Sequence, residues 1–153
     1  MLQNSSFREN DMTKTFFDAI DYQRQLIFAG LEDFTPNSAL PNVLGGQYGT
    51  NPVAWRQAVI DFICRNVAAD LLEIVSYPGK PTEMGAPQVM ALLMSGDESR
   101  GLDENIIWDA IYFTGTTKLK SRLKSFGLLS WDALNAEKSD DFIDFLVGSY
   151  TSG

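Results

Sequence analysis

The stretch from Asn51 to Val75, NPVAWRQAVIDFICRNVAADLLEIV, constrains the fold of this chain more than any other. Asn51 carries a side-chain oxygen that can accept from the exposed amides of a helix start. Pro52 has a fixed φ and no N–H, which suits the first helical position. Behind them Trp55, Val59, Phe62, Ile63, Val67, Leu71 and Ile74 recur at helical spacing. Their stripe is too wide for a helix that merely rests on a surface. The pattern predicts a central, largely buried helix over 52–75, with a possible break near Asn66.

Other segments carry the same period. Thr13 can cap a helix that sets Phe16, Phe17, Ile20 and Ile27 near one face and ends at Gly30. Pro87 can open PQVMALLM, and Asp103 can cap LDENIIWDAIYF. Thr116 or Thr117 can start TTKLKSRLKSFG, which Gly127 stops. Ser130 caps SWDALNAE; Ser139 caps SDDFIDFLVG, which Gly148 closes. Residues 35–52 hold three Pro and three Gly and read as a long loop. No segment shows the strict alternation of a half-buried strand. The expected fold class is therefore all-α: a single compact domain of about seven helices around the central helix near 52–75. It would span residues 12–153, with 1–11 as a flexible arm, and Met12 is as good a natural start as Met1.

At 153 residues, 44% of them hydrophobic, the chain can bury a proper core. No run approaches the ~18 apolar residues of a membrane span, and the N-terminus lacks the apolar segment of a signal peptide. The single Cys64 cannot form an internal disulfide, and with that start it points to the cytoplasm. Histidine is absent, which removes the commonest general base, the commonest metal ligand and every Ser-His or Cys-His nucleophile pair. One cysteine cannot hold zinc. Only carboxylate, Lys or Tyr chemistry remains, so the expectation is a protein that is not an enzyme and takes no cofactor or metal.

Each apparent motif has a plain structural reading. LGGQYGTNP suggests a phosphate loop, yet Gly49 is followed by Thr50-Asn51 where that pattern needs Lys and a hydroxyl residue. GDESRGLDENIIW resembles a calcium loop, but Leu102 stands where Gly is required and Trp108 where Glu is. Asp18 and Asp21, and likewise Asp70 and Glu73, are spaced as neighbours on a helix, a pattern too common in acidic helices to mark catalysis. Trp55, Trp108 and Trp131 read as core residues, and Cys64 as an inert buried thiol.

Charge is the remaining signal. The chain has 12 basic and 20 acidic residues and a net charge of −8. Four of the cations, Lys118, Lys120, Arg122 and Lys124, sit in TTKLKSRLKSFG without an acid among them. There Leu119, Leu123 and Phe126 share one face and the cations spread around the rest, as in an ordinary surface helix. In so acidic a protein the surrounding field would repel phosphate, so no direct contact with nucleic acid is expected. A basic protein partner fits better, met by Asp97, Glu98, Asp103 and Glu104, or by Asp140, Asp141 and Asp144.

In size, acidity, helicity and lack of catalytic equipment, the chain resembles the bacterial toxin immunity proteins of contact-dependent growth-inhibition systems. That resemblance implies a cytoplasmic, non-catalytic binder that neutralises a basic, nuclease-type toxin domain. No motif carries it, so it assigns no residues. Two alternatives stand beside it: a nucleic-acid-binding regulator using the 116–126 helix, and a carboxylate enzyme that uses a metal.

Overall fold

The computed structural model describes residues 18–77 and 84–151. These fold into six α-helices and a small antiparallel sheet. The elements are α1 (Ala19–Leu31), α2 (Pro52–Ala68), β1 (Leu72–Ser76), α3 (Ala86–Ser95), α4 (Glu104–Ala110), β2 (Tyr112–Gly115), α5 (Thr117–Ser125) and α6 (Asp140–Thr151). Short 3₁₀ turns cover Pro36–Ser38, Gly46–Tyr48, Glu98–Arg100 and Trp131–Asn135. The expected arm at 1–11 and the Thr13 cap lie outside the described residues. The first described helix is capped instead by Asp18, whose carboxylate accepts from the Asp21 N–H at 3.3 Å.

The chain is mostly helical, and the sheet corrects the all-α expectation. The central helix ends at Ala68, seven residues short of the expected Val75. Asp70 then takes a left-handed conformation, with φ of 61°, and turns the chain out of the helix. Leu72–Ser76 continues as a strand, paired with Tyr112–Gly115 so that Leu72 faces Gly115 and Ile74 faces Phe113. Both segments are rich in aromatic and β-branched residues, which fit a pleated and half-buried surface. Phe34 adds a bridge on the other side of β2, its N–H donating to the Phe113 carbonyl at 2.9 Å and its own carbonyl accepting at 2.8 Å. Most of the stripe seen in the sequence is still core: Leu71 and Ile74 are buried from a turn and a strand instead of a helix, and only Val67 is partly buried.

The expected seven helices become six α-helices among the described residues, because SWDALNAE forms a 3₁₀ turn. Ser130 caps it as expected, accepting from the Ala133 N–H at 3.3 Å. The helix begun at Asp103 stops at Ala110 and gives its last aromatic residues to β2. Gly148 does not close the final helix, which runs on to Thr151. Trp131, expected in the core, is 51% exposed and meets Phe28 edge-on.

The core gathers around α2. Trp55 and Trp108 meet at 5.7 Å. The Trp55 indole N–H is shared between the Ala39 and Leu40 carbonyls, and that of Trp108 donates to the Leu93 carbonyl at 2.8 Å. Each large ring thus buries its surface without leaving its one donor unpaired.

Candidate functional site

The basic stretch comes first, because two of its four cations, Lys118 and Arg122, have structural work. Thr116 caps α5, accepting from the Leu119 N–H at 3.2 Å. Its hydroxyl also donates to the Asp70 carbonyl at 2.7 Å, and its N–H to the Leu71 carbonyl at 3.1 Å. The Lys118 ammonium donates to the Ala69 carbonyl at 3.0 Å. The start of α5 therefore closes the end of α2, where orphan carbonyls and the negative end of the helix dipole favour a cation. Arg122 lies 4.5 Å above the Phe145 ring of α6. Leu119 and Leu123 are fully buried, as the helical wheel predicts. Lys120 and Lys124 stand exposed.

The two acidic clusters lie on different elements. Asp97, Glu98 and Asp103 lie in the loop that joins α3 to α4, and Glu104 is the first residue of α4. Two backbone hydrogen bonds close that loop: the Asp97 N–H donates to the Leu102 carbonyl at 2.7 Å, and the Leu102 N–H donates back at 3.0 Å. Gly96, at φ 76° and ψ −165°, makes the entry. A β-carbon there would come within 2.5 Å of the Leu102 carbonyl oxygen, so only glycine fits. The Asp97 carboxylate accepts from the Tyr77 hydroxyl at 2.9 Å and the Ser99 hydroxyl at 2.7 Å. Asp103 caps α4, accepting from the Ile106 N–H at 3.0 Å. Glu98 and Asp103 are exposed and Glu104 is half-buried. On α3, just before the loop, Met90 and Met94 are 41% and 54% exposed and one turn apart.

Asp140, Asp141 and Asp144 begin α6, all exposed. Ser139 caps this helix at 3.3 Å, and Lys138 reaches Asp140 at 3.8 Å. Nothing brings this cluster into the same element contacts as the α3–α4 loop. The loop joins helices that pack on each other, with α3 also against α2, while α6 packs on α1.

The carboxylate pairs fare differently from one another. Asp70 and Glu73 do not share a helix face, since one sits in the left-handed turn and the other on β1. Asp18 and Asp21 do adjoin at the start of α1. Burial first, and the neighbouring Asp18 second, push the Asp21 carboxyl up to about 6. Among the described residues, no three His, Cys, Asp or Glu side chains gather as a metal site would require.

Sequence reasoning missed a buried polar chain between α1, α2 and α6. The Tyr22 hydroxyl donates to Asp61 at 3.2 Å, and Arg65 pairs with Asp61 at 3.0 Å. The Arg65 guanidinium lies 5.6 Å from the Tyr150 ring, and the Tyr150 hydroxyl donates to Asn66 at 2.7 Å. Burial outweighs the Arg65 guanidinium and holds the Asp61 carboxyl above its usual range. It also lifts the Cys64 thiol to about 11, which keeps that sulfur in its unreactive protonated form. The i, i+4 spacing of Asp61 and Arg65 was visible in the sequence; their long-range partners were not.

Among the described residues, two surface clefts stand out. One, of about 430 Å³, is polar and is lined by Asn37, Gln47, Arg56, Asn105 and Asp109 above Trp55. Its side chains largely satisfy one another: Arg56 donates to Asn105 at 2.8 Å and lies 4.5 Å over the Trp108 ring, and Asn37 donates to Asp109. The other, of about 250 Å³, runs along α1 past Asp21, Arg24, Gln25 and Phe28.

Compared with known proteins, no family model matches the chain, and neither a curated protein nor a solved structure matches it. Among the described residues no helix is long and apolar enough to cross a membrane.

Proposed function

We propose that this is a non-catalytic binding protein of the immunity type, which neutralises a basic, nuclease-type toxin domain through an acidic surface. The observation that supports it most is the distribution of unpaired charge. Among the described residues, ion pairs within 4.0 Å join only Arg65 with Asp61 and Lys138 with Asp140. Glu98, Glu104, Asp141 and Asp144 meet no cation of the described residues at that range. A net charge of −8, left largely unneutralised at the surface, steers a positive partner and raises its association rate.

Of the two acidic clusters, the α3–α4 loop is the better contact. It is held in one conformation by its paired backbone bonds, so little ordering entropy is lost on binding. It also adjoins Met90 and Met94, whose flexible thioethers suit the apolar centre of an interface. A regulator that grips nucleic acid through residues 116–126 is less well supported. Lys118 and Arg122 are already engaged by the Ala69 carbonyl and the Phe145 ring.

The test is association with the cognate toxin domain at low and high salt. Glu98→Lys with Glu104→Lys should slow association roughly tenfold or more at low salt and flatten its salt dependence. Lys120→Glu with Lys124→Glu should leave it unchanged or slightly faster. Loss of binding in the lysine variant alone would overturn the proposal.

A further inference from the structure

The cleft along α1 is lined by a residue with a buried hydrogen-bond donor that has no acceptor among the described residues. The Arg24 Nε is buried and meets no partner among the described residues. Gln25, only 6% exposed, lines the same cleft. Its side-chain oxygen is taken by the Leu40 N–H at 2.9 Å, and its amide nitrogen, which donates to no described residue, keeps contact with solvent. Buried donors are ordinarily paired, because an orphan loses its hydration and gains nothing in return. The rest of the lining is largely apolar: Phe28, Leu40, Pro41 and Leu134.

Among the described residues, the one carboxyl on the cleft is Asp21, and it makes no ion pair within 4.0 Å with Arg24. Its pKa is raised to about 6, so below that pH it holds a proton where an ordinary aspartate is ionised, and there it opposes an incoming anion less. A volume of about 250 Å³ falls just below the ~300–1,000 Å³ of sites that hold drug-sized ligands, which excludes a nucleotide.

We propose that this cleft binds a small monocarboxylate carried on a single aromatic or branched apolar group. The carboxylate would accept from Arg24 and Gln25, and the apolar group would lie against Phe28, Leu40 and Leu134. A guanidinium edge beside a primary amide favours a charged, two-oxygen acceptor over a lone carbonyl. This site is separate from the acidic surface and does not depend on the immunity reading.

Benzoate is a suitable probe, with benzyl alcohol as its uncharged counterpart. Titration of benzoate into the full chain at pH ~5, where Asp21 is largely protonated and benzoate still largely ionised, followed by proton–nitrogen correlation spectra, should shift the Leu40 and Asn42 amides saturably with a Kd on the order of 1 mM. Benzyl alcohol should bind at least about tenfold more weakly, and Arg24→Gln should weaken benzoate by about the same factor. If Arg24→Gln does not fold, the comparison of the two probes on the native chain still decides the matter. Equal affinity for the two probes, or the absence of a saturable shift at Leu40 and Asn42, would overturn the proposal.

Discussion

The Tyr150 hydroxyl donates to the Asn66 side-chain oxygen at 2.7 Å, and so ties the last helix to the central one across 84 residues of sequence. Asn66 is fully buried, and its amide nitrogen donates to the Phe62 carbonyl at 2.8 Å. A polar side chain so far from water needs both partners.

Tyr150→Phe should therefore cost more than one average hydrogen bond. It leaves the Asn66 oxygen buried without its tyrosine donor, a loss of about 1–3 kcal/mol. Urea unfolding of the two proteins checks this. A change below about 0.5 kcal/mol would mean that water replaces the hydroxyl.

Asp21 sets a pH dependence of definite sign. Its folded pKa of about 6 stands above the ordinary value of 3.8, so between those pH values the folded state holds a proton that the unfolded state releases. The contribution is present below pH ~4 and is lost as pH rises through ~6. Asp21→Asn should remove that loss and so stabilise the protein above pH ~6, by less than about 1 kcal/mol because the group is only half-buried and solvent screens it. Urea midpoints of both proteins across the acid range give the answer: parallel curves would place the titration on another group.

The left-handed turn at Asp70 predicts opposite results for two substitutions. Asp70→Gly relieves the backbone at φ 61° and should be neutral or slightly stabilising. Asp70→Val places a β-branched residue there and should cost about 1–2 kcal/mol or more. Equal stability of the two variants would mean that the turn rearranges.

How much of this was legible in the sequence follows from the same turn. The start of α2 was, because Asn51 and Pro52 act locally; the Asn51 side chain accepts from the Ala54 N–H at 3.2 Å. The burial of Trp55, Val59, Phe62, Ile63, Leu71 and Ile74 was also legible, because an apolar stripe has one inside wherever the helix ends. The helix end was not. Nothing in Ala69-Asp70-Leu71 is a conventional stop, and the turn is held by Thr116 and Lys118 from a segment some 46 residues further on. LEIVS and YFTG are too short to show alternation, and each becomes a strand only against the other. The acidic residues were readable as charge, but their loop is defined by Gly96 and by the bonds between Asp97 and Leu102, which no charge count reveals.

Gly96→Ala should disturb that loop in particular. The added methyl would press on the Leu102 carbonyl and the Asp103 backbone at 2.5 and 2.7 Å, in a backbone region nearly closed to other residues. The expected cost is about 1–3 kcal/mol. Amide exchange at Asp97 and Leu102, the two donors of the bridge, should quicken more than exchange in α2. Unchanged protection at both would show that the loop yields without opening.

The basic helix gives the last prediction, which separates its cations by what each one touches. Lys118 lies against the Ala69 carbonyl at the end of α2, so Lys118→Gln gives up a charge at the negative end of a helix dipole. That should cost about 0.3–1 kcal/mol at low salt and less at high salt. Arg122 lies over the Phe145 ring, and Arg122→Ala gives up both that attraction and the packing of its methylene stem, about 0.5–1 kcal/mol. Lys120 and Lys124 touch neither feature, and their replacement by Gln should stay within about 0.5 kcal/mol of the native chain. Thermal or urea unfolding of the four single variants measures the order directly. If all four behave alike, the cations act only through their summed charge, and the account of α5 as the piece that closes the end of α2 fails. If Lys120 and Lys124 alone matter, the contacts of Lys118 with the Ala69 carbonyl and of Arg122 with the Phe145 ring do not stabilise the fold.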